Sequence, residues 1–166
     1  MHFEIEKKYL IRMPDAARLA AQPGAVKWEI VQTYLTAAPG ETRRIRKVVT
    51  DGEARYFRTF KQRVTGMTAR EDEGETDRAA YEAYAREAAP DAMPIFKTRY
   101  RVPFGGHLLE FDLYPFWRKQ AVLEVELERE DEPHAIPDWV EILRDVSDDY
   151  AYKNSALARA IPKEEI

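Results

Sequence analysis

The chain has 166 residues, of which 45% are hydrophobic and 34% charged, and its formal net charge is -4 at pH 7. This length and composition predict one globular domain over residues 1–166. The negative charge gives no reason to expect a nucleic acid partner, and the lack of cysteine excludes disulfides, thiolate metal sites and cysteine nucleophiles. Without a signal-peptide core or a stretch of roughly 20 apolar residues, we expect a cytoplasmic protein with no membrane contact.

Alternation of apolar and polar residues predicts eight strands in chain order. They span residues 3–11, 28–36, 42–49, 54–63, 68–76, 95–103, 107–115 and 121–129. Proline, glycine and aspartate separate most of these strands, and such residues make chain reversal easy. Neighbouring strands are therefore expected to pair as antiparallel hairpins.

Four helical segments are predicted around the strands. The first spans residues 14–21, and the second spans 77–88, where Asp77 or the preceding threonine can cap the helix. The stretch DWVEILRDV at 138–146 has apolar residues at helical spacing, and Ser147 is placed to cap a last segment through SALARAI. These amphipathic segments would cover the outside of the sheet.

Several strands carry charged residues at every second position, on one face. The first strand places Glu4, Glu6 and Lys8 together, and the later rows are Arg44 and Arg46, Thr59 and Lys61, Lys97 to Arg101, Glu110 and Asp112, and Glu124 to Glu128. Same-face neighbours lie roughly 6.5–7 Å apart, so an acidic pair favours a divalent cation and a basic pair favours an anion. For any single strand, a wet face of an ordinary sheet is an equally good interpretation.

One arrangement accounts for all these rows together. A closed antiparallel barrel could turn its charged face inward and its apolar face outward, under a cover of helices. Carboxylates in such a lumen would bind Mg²⁺ through oxygen, and the Arg and Lys rows would bind phosphate oxygens. The standard glycine-rich phosphate loops are absent from the sequence, and a zinc site from His2, His107 and His134 is not expected.

These motifs, in this order, resemble a known family. The stretch from Glu4 to Lys8 reads as an E-x-E-x-K signature, and the paired rows follow it along nearly the whole chain. The sequence thereby resembles the CYTH domain of the triphosphate tunnel metalloenzyme superfamily, and within it the short bacterial members similar to inorganic tripolyphosphatases. The resemblance implies an α+β fold with a closed eight-stranded antiparallel tunnel, a C-terminal plug helix and Mg²⁺ or Mn²⁺.

The resemblance also implies roles for individual residues. The metal-binding carboxylates are expected to be Glu4, Glu6, Asp112, Glu124 and Glu126, and the triphosphate-binding set is Lys8, Arg44, Arg46, Lys61, Lys97 and Arg99. Lys153 would reach the phosphate from the plug helix, so that Glu4, Glu6, Lys8 and Lys153 are the expected catalytic group. Further candidates are Glu71, Glu73 and Glu110, although the register at 69–77 is open, while Arg101 and Glu128 are expected to be exposed and inert at a tunnel mouth.

The function implied by the resemblance is metal-dependent hydrolysis of inorganic tripolyphosphate to pyrophosphate and phosphate. Hydrolysis of thiamine triphosphate or a nucleoside triphosphate, or adenylate cyclisation, would use the same charges. A non-catalytic polyphosphate-binding module is the alternative from another class, but its acidic residues would repel the ligand without a metal. The expected partner is a small-molecule triphosphate, and the oligomeric state is open.

Overall fold

The protein is built around one antiparallel sheet, seen in a computed structural model that describes residues 2–166. Its strands are β1 (His2–Arg12), β2 (Val26–Leu35), β3 (Glu41–Thr50), β4 (Glu53–Arg63), β5 (Thr68–Thr76), β6 (Ile95–Phe104), β7 (His107–Leu113), β8 (Gln120–Leu127) and β9 (Ile142–Asp145). The strand order is β5-β4-β3-β2-β6-β7-β8-β1-β9, and β1 also pairs with β5. That pairing closes the first eight strands into a barrel, which confirms the predicted tunnel fold.

Strand β1 holds the barrel closed because it has partners on both edges. Residues Ile5–Arg12 pair with β8, and on the other edge His2–Ile5 pair with β5. β5 leaves the second half of that edge free, and β9 pairs there with Tyr9–Ile11. The backbone groups of β1 are thus satisfied along most of the strand, as a buried strand requires.

The prediction of a helix at 138–146 is wrong, because part of this segment forms β9. The free edge of β1 offers unpaired backbone groups, and a segment that can pair with them gains more than an isolated helical turn. Arg12 N donates to Glu141 O at 3.0 Å and Val146 N donates to Lys8 O at 2.9 Å, on either side of the strand. The apolar residues of the segment still pack, since Trp139 contacts one hydrophobic cluster and Leu143 another.

Two predicted helices are confirmed in shorter form. Helix α1 (Ala16–Ala20) begins after Asp15, whose carboxylate accepts from Ala17 N at 3.1 Å. Helix α2 (Arg78–Ala85) begins after Asp77, which accepts from Ala80 N at 2.7 Å. Both starts follow from the preference of aspartate for the N-cap position. Within residues 2–166, no helix is long and apolar enough to cross a membrane.

The last two elements along the chain are a 3₁₀ turn (Tyr150–Tyr152) and a short helix, α3 (Asn154–Leu157), so the predicted last helix is only one turn long. Ser147 does not cap it, because its hydroxyl accepts a hydrogen bond from Lys8 N at 2.9 Å. This terminal segment is the counterpart of the predicted plug.

Apolar residues close one end of the barrel. The inward rows of charged residues continue, two positions on, into Leu10, Ile95, Tyr114 and Val122, which form one buried cluster with Tyr152 and Leu157 of the terminal segment. A second cluster lies on the outer wall, where residues such as Leu109, Phe111 and Leu123 pack beneath Leu19 and Trp139. The terminal segment therefore seals this end of the lumen by burying apolar surface, which is favourable by about 25 cal/mol per Å².

Candidate active site in the barrel lumen

The lumen contains a cavity of about 130 Å³ whose walls are almost entirely charged. Seven carboxylates line it: Glu4, Glu6, Glu71, Glu73, Glu110, Glu124 and Glu126. Five cations line it as well: Arg44, Arg46, Lys61, Arg99 and Arg101. Charged side chains from seven strands thus converge on one small space, as the inward-facing charged rows predict.

The cavity opens at the end opposite the apolar seal. Along β6, the exposed fraction of the side chain rises from 0% at Lys97 to 8% at Arg99 and 29% at Arg101. Along β8, Glu124 is buried whereas Glu126 and Glu128 are exposed. Residues Lys8, Lys97 and Asp112 therefore mark the deep end, and Arg101 and Glu126 mark the mouth.

Three deep residues form one buried ion-paired set. Asp112 accepts from Lys97 Nζ at 2.9 Å and takes two hydrogen bonds from Arg99, at 2.7 and 2.9 Å. Burial alone would raise the pKa of Asp112, but Arg99 and Lys97 hold it below its usual value. Burial, with Arg99 nearby, lowers the pKa of Lys97 to about 8. Neither Lys97 nor Asp112 is among the cavity-lining residues of the described chain, so the structure uses this predicted ligand pair as an internal ion pair.

The carboxylates nearer the middle are crowded by one another. Burial, followed by the charges of Glu124 and Glu4, raises the pKa of Glu6 to about 8. Burial and Glu110 raise the pKa of Glu126 to about 7, and burial together with Glu4 has the same effect on Glu71. Like charges held this close favour a shared proton or a cation.

This donor set fits a hard divalent cation. Glu71 Oε2 and Glu124 Oε1 are buried without a hydrogen-bond partner, although Lys61 Nζ and Lys8 Nζ each lie 3.3 Å from them. Carboxylate oxygens are the ligands that Mg²⁺ and Mn²⁺ take. Within residues 2–166, no three acidic or histidine side chains are already gathered in a ligating arrangement. The carboxylates thus fit a divalent cation in chemistry, and two of them also contact the amino groups of Lys8 and Lys61.

The opposite wall carries the least satisfied cations. Arg44 and Arg46 are 9% and 6% exposed, and the Nε atom of each is buried without a hydrogen-bond partner. They share Glu73, whose Oε2 lies 3.9 Å from Arg44 and 3.0 Å from Arg46. Burial, followed by the charge of Arg44, lowers the pKa of Arg46 to about 10. Two buried guanidinium groups with one carboxylate between them favour an added anion.

Pairing with β4 settles the register of β5 that the sequence left open. Glu71 lies opposite Lys61 and Glu73 lies opposite Thr59, so both carboxylates face the lumen. Lys61 Nζ donates to Glu4 Oε1 at 2.7 Å, and Thr59 donates to Glu73 at 2.6 Å. The carboxylate of Asp72, between them, faces Arg58 on the outer wall at 3.5 Å.

The two lysines near the seal are held by backbone carbonyls. Lys8 Nζ donates to Tyr152 O at 3.2 Å, while Lys153 Nζ donates to Gly66 O at 2.5 Å and to Ser147 O at 3.0 Å. Burial and the charge of Lys8 lower the pKa of Lys153 to about 8. Lys8 and Lys153 are both buried rather than solvent-exposed, and neither is among the described residues that line the cavity.

The charge pattern did not identify two residues of the cavity wall, and it assigned a third, Arg101, an inert place at the mouth. Asn154 of the terminal segment lines the cavity, and its Oδ1 accepts from Tyr114 Oη at 2.6 Å. Trp28 lines it from β2, a strand with no charged row to signal it. Arg101 was expected to be inert, yet it lines the cavity and its Nε donates to Glu110 Oε2 at 3.1 Å. Glu128 is exposed, as expected.

Comparison with known proteins identifies the family. The chain is 32% identical to an inorganic triphosphatase of Nitrosomonas europaea over 165 residues, which cover 96% of this chain and 99% of that protein. It also resembles the crystal structure of the inorganic triphosphatase NE1496, with a TM-score of 0.58 and 27% identity over 98% of this chain and 99% of the other. The PH1819 protein of Pyrococcus horikoshii OT3 shares the fold, with a TM-score of 0.59 and 21% identity over 77% of this chain and 80% of its own.

No family model matches the chain. The relationship therefore stands on the near-complete alignment with the Nitrosomonas protein and on the closed barrel with its charged lumen. By these findings the chain belongs to the CYTH, or triphosphate tunnel metalloenzyme, family of triphosphatases.

Proposed function

We propose that this protein hydrolyses inorganic tripolyphosphate to pyrophosphate and phosphate with the help of Mg²⁺ or Mn²⁺. The observation that carries the proposal is the pair of buried guanidinium groups, Arg44 and Arg46, facing crowded carboxylates across one cavity. A polyphosphate chain supplies the anion that the first wall lacks, and a divalent cation supplies the charge that the second wall lacks. The relationship to inorganic triphosphatases supports the same reaction.

The cationic wall would bind and orient the substrate. Arg44, Arg46 and Lys61 would contact phosphate oxygens, and Arg99 would extend the row toward the ion pair of Lys97 and Asp112. Such fixed cations stabilise charge that develops on a transferring phosphoryl group. Lys8, which contacts Glu124 at the deep end, would balance charge on the leaving pyrophosphate, and Lys153 would act on the same charge from behind it.

The acidic wall would hold the metal through Glu4, Glu6, Glu124 and Glu126. When bound, a divalent cation neutralises phosphate charge and lowers the pKa of an attacking water. Glu6, whose pKa is raised to about 8, would lose its proton when the divalent cation binds. Asp112 would keep Lys97 and Arg99 in position rather than bind metal. Water attacks a terminal phosphorus, a new P–O bond forms, and the bridging P–O bond breaks to release pyrophosphate.

Phosphate release tests the proposal directly. Purified protein is incubated with tripolyphosphate and Mg²⁺ or Mn²⁺, with Glu126→Gln and metal chelation as controls. Release that depends on both metal and Glu126 is expected, and none above the Glu126→Gln background would refute it. Tight binding that needs no metal and gives no turnover would instead identify a polyphosphate-binding module.

A substrate panel at one metal concentration separates tripolyphosphate from thiamine and nucleoside triphosphates. Three further points stay predictions: a single domain over residues 1–166, a cytoplasmic location, and a partner that is not a nucleic acid.

A further inference from the structure

The mouth of the cavity carries an aromatic ring among the charges. Of the described residues that line the cavity, Trp28 is the one aromatic side chain. It lies opposite Arg99 in the pairing of β2 with β6, so its ring belongs to the lumen face of the sheet. An aromatic face beside a triphosphate site is a surface on which a nucleobase can stack.

That ring is already covered by a guanidinium group. The Cζ atom of Arg101 lies 4.2 Å from the centre of the Trp28 ring, a distance typical of a close cation–π contact. Arg101 Nε also donates to Glu110 Oε2 at 3.1 Å, and Arg99 Nη1 donates to the same oxygen at 3.1 Å. Arg101 is therefore held over the ring by a buried carboxylate in the barrel wall.

Because one end of the barrel is closed, the position of Trp28 and Arg101 at the mouth is important for the choice of substrate. A triphosphate bound at Arg44 and Arg46 has the apolar seal on one side and the mouth on the other. Any organic group attached to a terminal phosphate of the bound ligand must extend out through the mouth, past Trp28 and Arg101. To stack there, it would have to displace the guanidinium from both the ring and Glu110, which would leave that buried carboxylate less well satisfied.

We infer that Arg101, held over Trp28 by Glu110, selects an unsubstituted inorganic triphosphate and disfavours nucleoside triphosphates. Inorganic tripolyphosphate can bind without displacing Arg101 from the ring. Arg101 then adds one more cation for the outer phosphate oxygens. The inference rests on the proposed function, because it concerns which triphosphate the same site accepts.

The test compares the binding of two hydrolysis-resistant ligands, the imido analogues of tripolyphosphate and of ATP. Calorimetry with Mg²⁺ gives the ratio of the ATP-analogue Kd to the tripolyphosphate-analogue Kd for the wild type, Arg101→Ala, Trp28→Leu and the double variant. Arg101→Ala is expected to lower this ratio at least tenfold, equivalent to about 1.4 kcal/mol. In the double variant the gain should disappear, because no ring is left to stack on.

Arg18→Ala is the matched control, since Arg18 lies 5.5 Å from the ring centre of Trp139 on the outside of the barrel. It should leave the ratio unchanged. Arg101→Gln serves as a second variant, with circular dichroism to verify folding. An unchanged ratio in both Arg101 variants, or a gain that survives Trp28→Leu, would overturn the inference. The ratio requires no turnover, so a failure of phosphate release by the wild type would count against the proposed function alone.

Discussion

The deep and middle parts of the lumen use the same residue types in opposite ways. At the deep end, Asp112 satisfies Lys97 and Arg99 with three hydrogen bonds, and the set is almost fully buried. In the middle, Arg44 makes no side-chain hydrogen bond to the described residues, and the pKa of Glu6 is raised to about 8 by burial and neighbouring carboxylates. Complete pairing favours a structural role, whereas incomplete pairing favours the binding of a ligand.

The largest expected effect comes from breaking the paired set. Asp112→Ala would leave Lys97 and Arg99 buried without their shared carboxylate, at a cost of about 3–5 kcal/mol in the free energy of unfolding. Urea denaturation measures this change. The control is Glu75→Ala, which removes the exposed pair with Arg55 and should cost less than about 1 kcal/mol. Equal losses in the two variants would contradict the assignment of Asp112 as a structural residue.

Removal of one carboxylate that lines the cavity should affect turnover more than folding. Glu124→Gln keeps the shape of the side chain but removes a charge expected to hold the metal, so kcat with tripolyphosphate should fall on the order of 100-fold. Phosphate release at saturating substrate measures the loss. Glu128→Gln changes the exposed residue at the end of the same strand row and should behave like the wild type. Equal activity of both variants would exclude Glu124 from the site.

Substitutions in the cationic wall should mainly weaken substrate binding. Arg46→Ala is expected to raise KM about tenfold, equivalent to 1.4 kcal/mol, with kcat changed much less, because it removes a contact to bound phosphate. Lys61→Ala should act in the same direction. Steady-state kinetics would show this, and Arg58→Ala on the outer wall, where Arg58 faces Asp72, is the control. A fall in kcat with an unchanged KM would contradict a binding role for Arg46.

The smallest effect expected is a dependence of stability on pH without metal. The pKa values of Glu6, Glu71 and Glu126 are raised to about 8, 7 and 7, so the folded state binds more protons than the unfolded state above pH 4.5. Their contribution to stability is complete below pH 4.5 and is lost as pH rises through 7 to 8. Between pH 5 and 7.5 the Tm should therefore fall, by about 2–4 °C for each kcal/mol lost.

Mg²⁺ should reduce this fall, because it relieves the repulsion between the carboxylates. Thermal melts of the wild type and Glu6→Gln, with and without Mg²⁺, measure both effects, and the variant should show the flatter profile without metal. A wild-type Tm that rises from pH 5 to 7.5 without metal would contradict the assigned shifts.

Local signals were the most reliable part of the sequence. Strand alternation identified all eight barrel strands, and the aspartates at 15 and 77 identified two helix starts, because both signals depend on a few neighbouring residues. The segment at 138–146 shows the limit of such signals. Its apolar spacing suits a helix, but the unpaired edge of β1, more than 120 residues earlier in the chain, made part of it a strand.

The sequence by itself determined which side chains share one face of a strand, because the period of a strand assigns each charge to one of two faces. It could not determine which charges satisfy one another, since that depends on pairing between strands distant in sequence. Only the tertiary structure decided that Asp112 is an internal partner, that Lys153 is held by backbone carbonyls, and that Arg101 covers Trp28. The physical reason is that burial and ion pairing are set by neighbours in space, whereas alternation is set by neighbours in the chain.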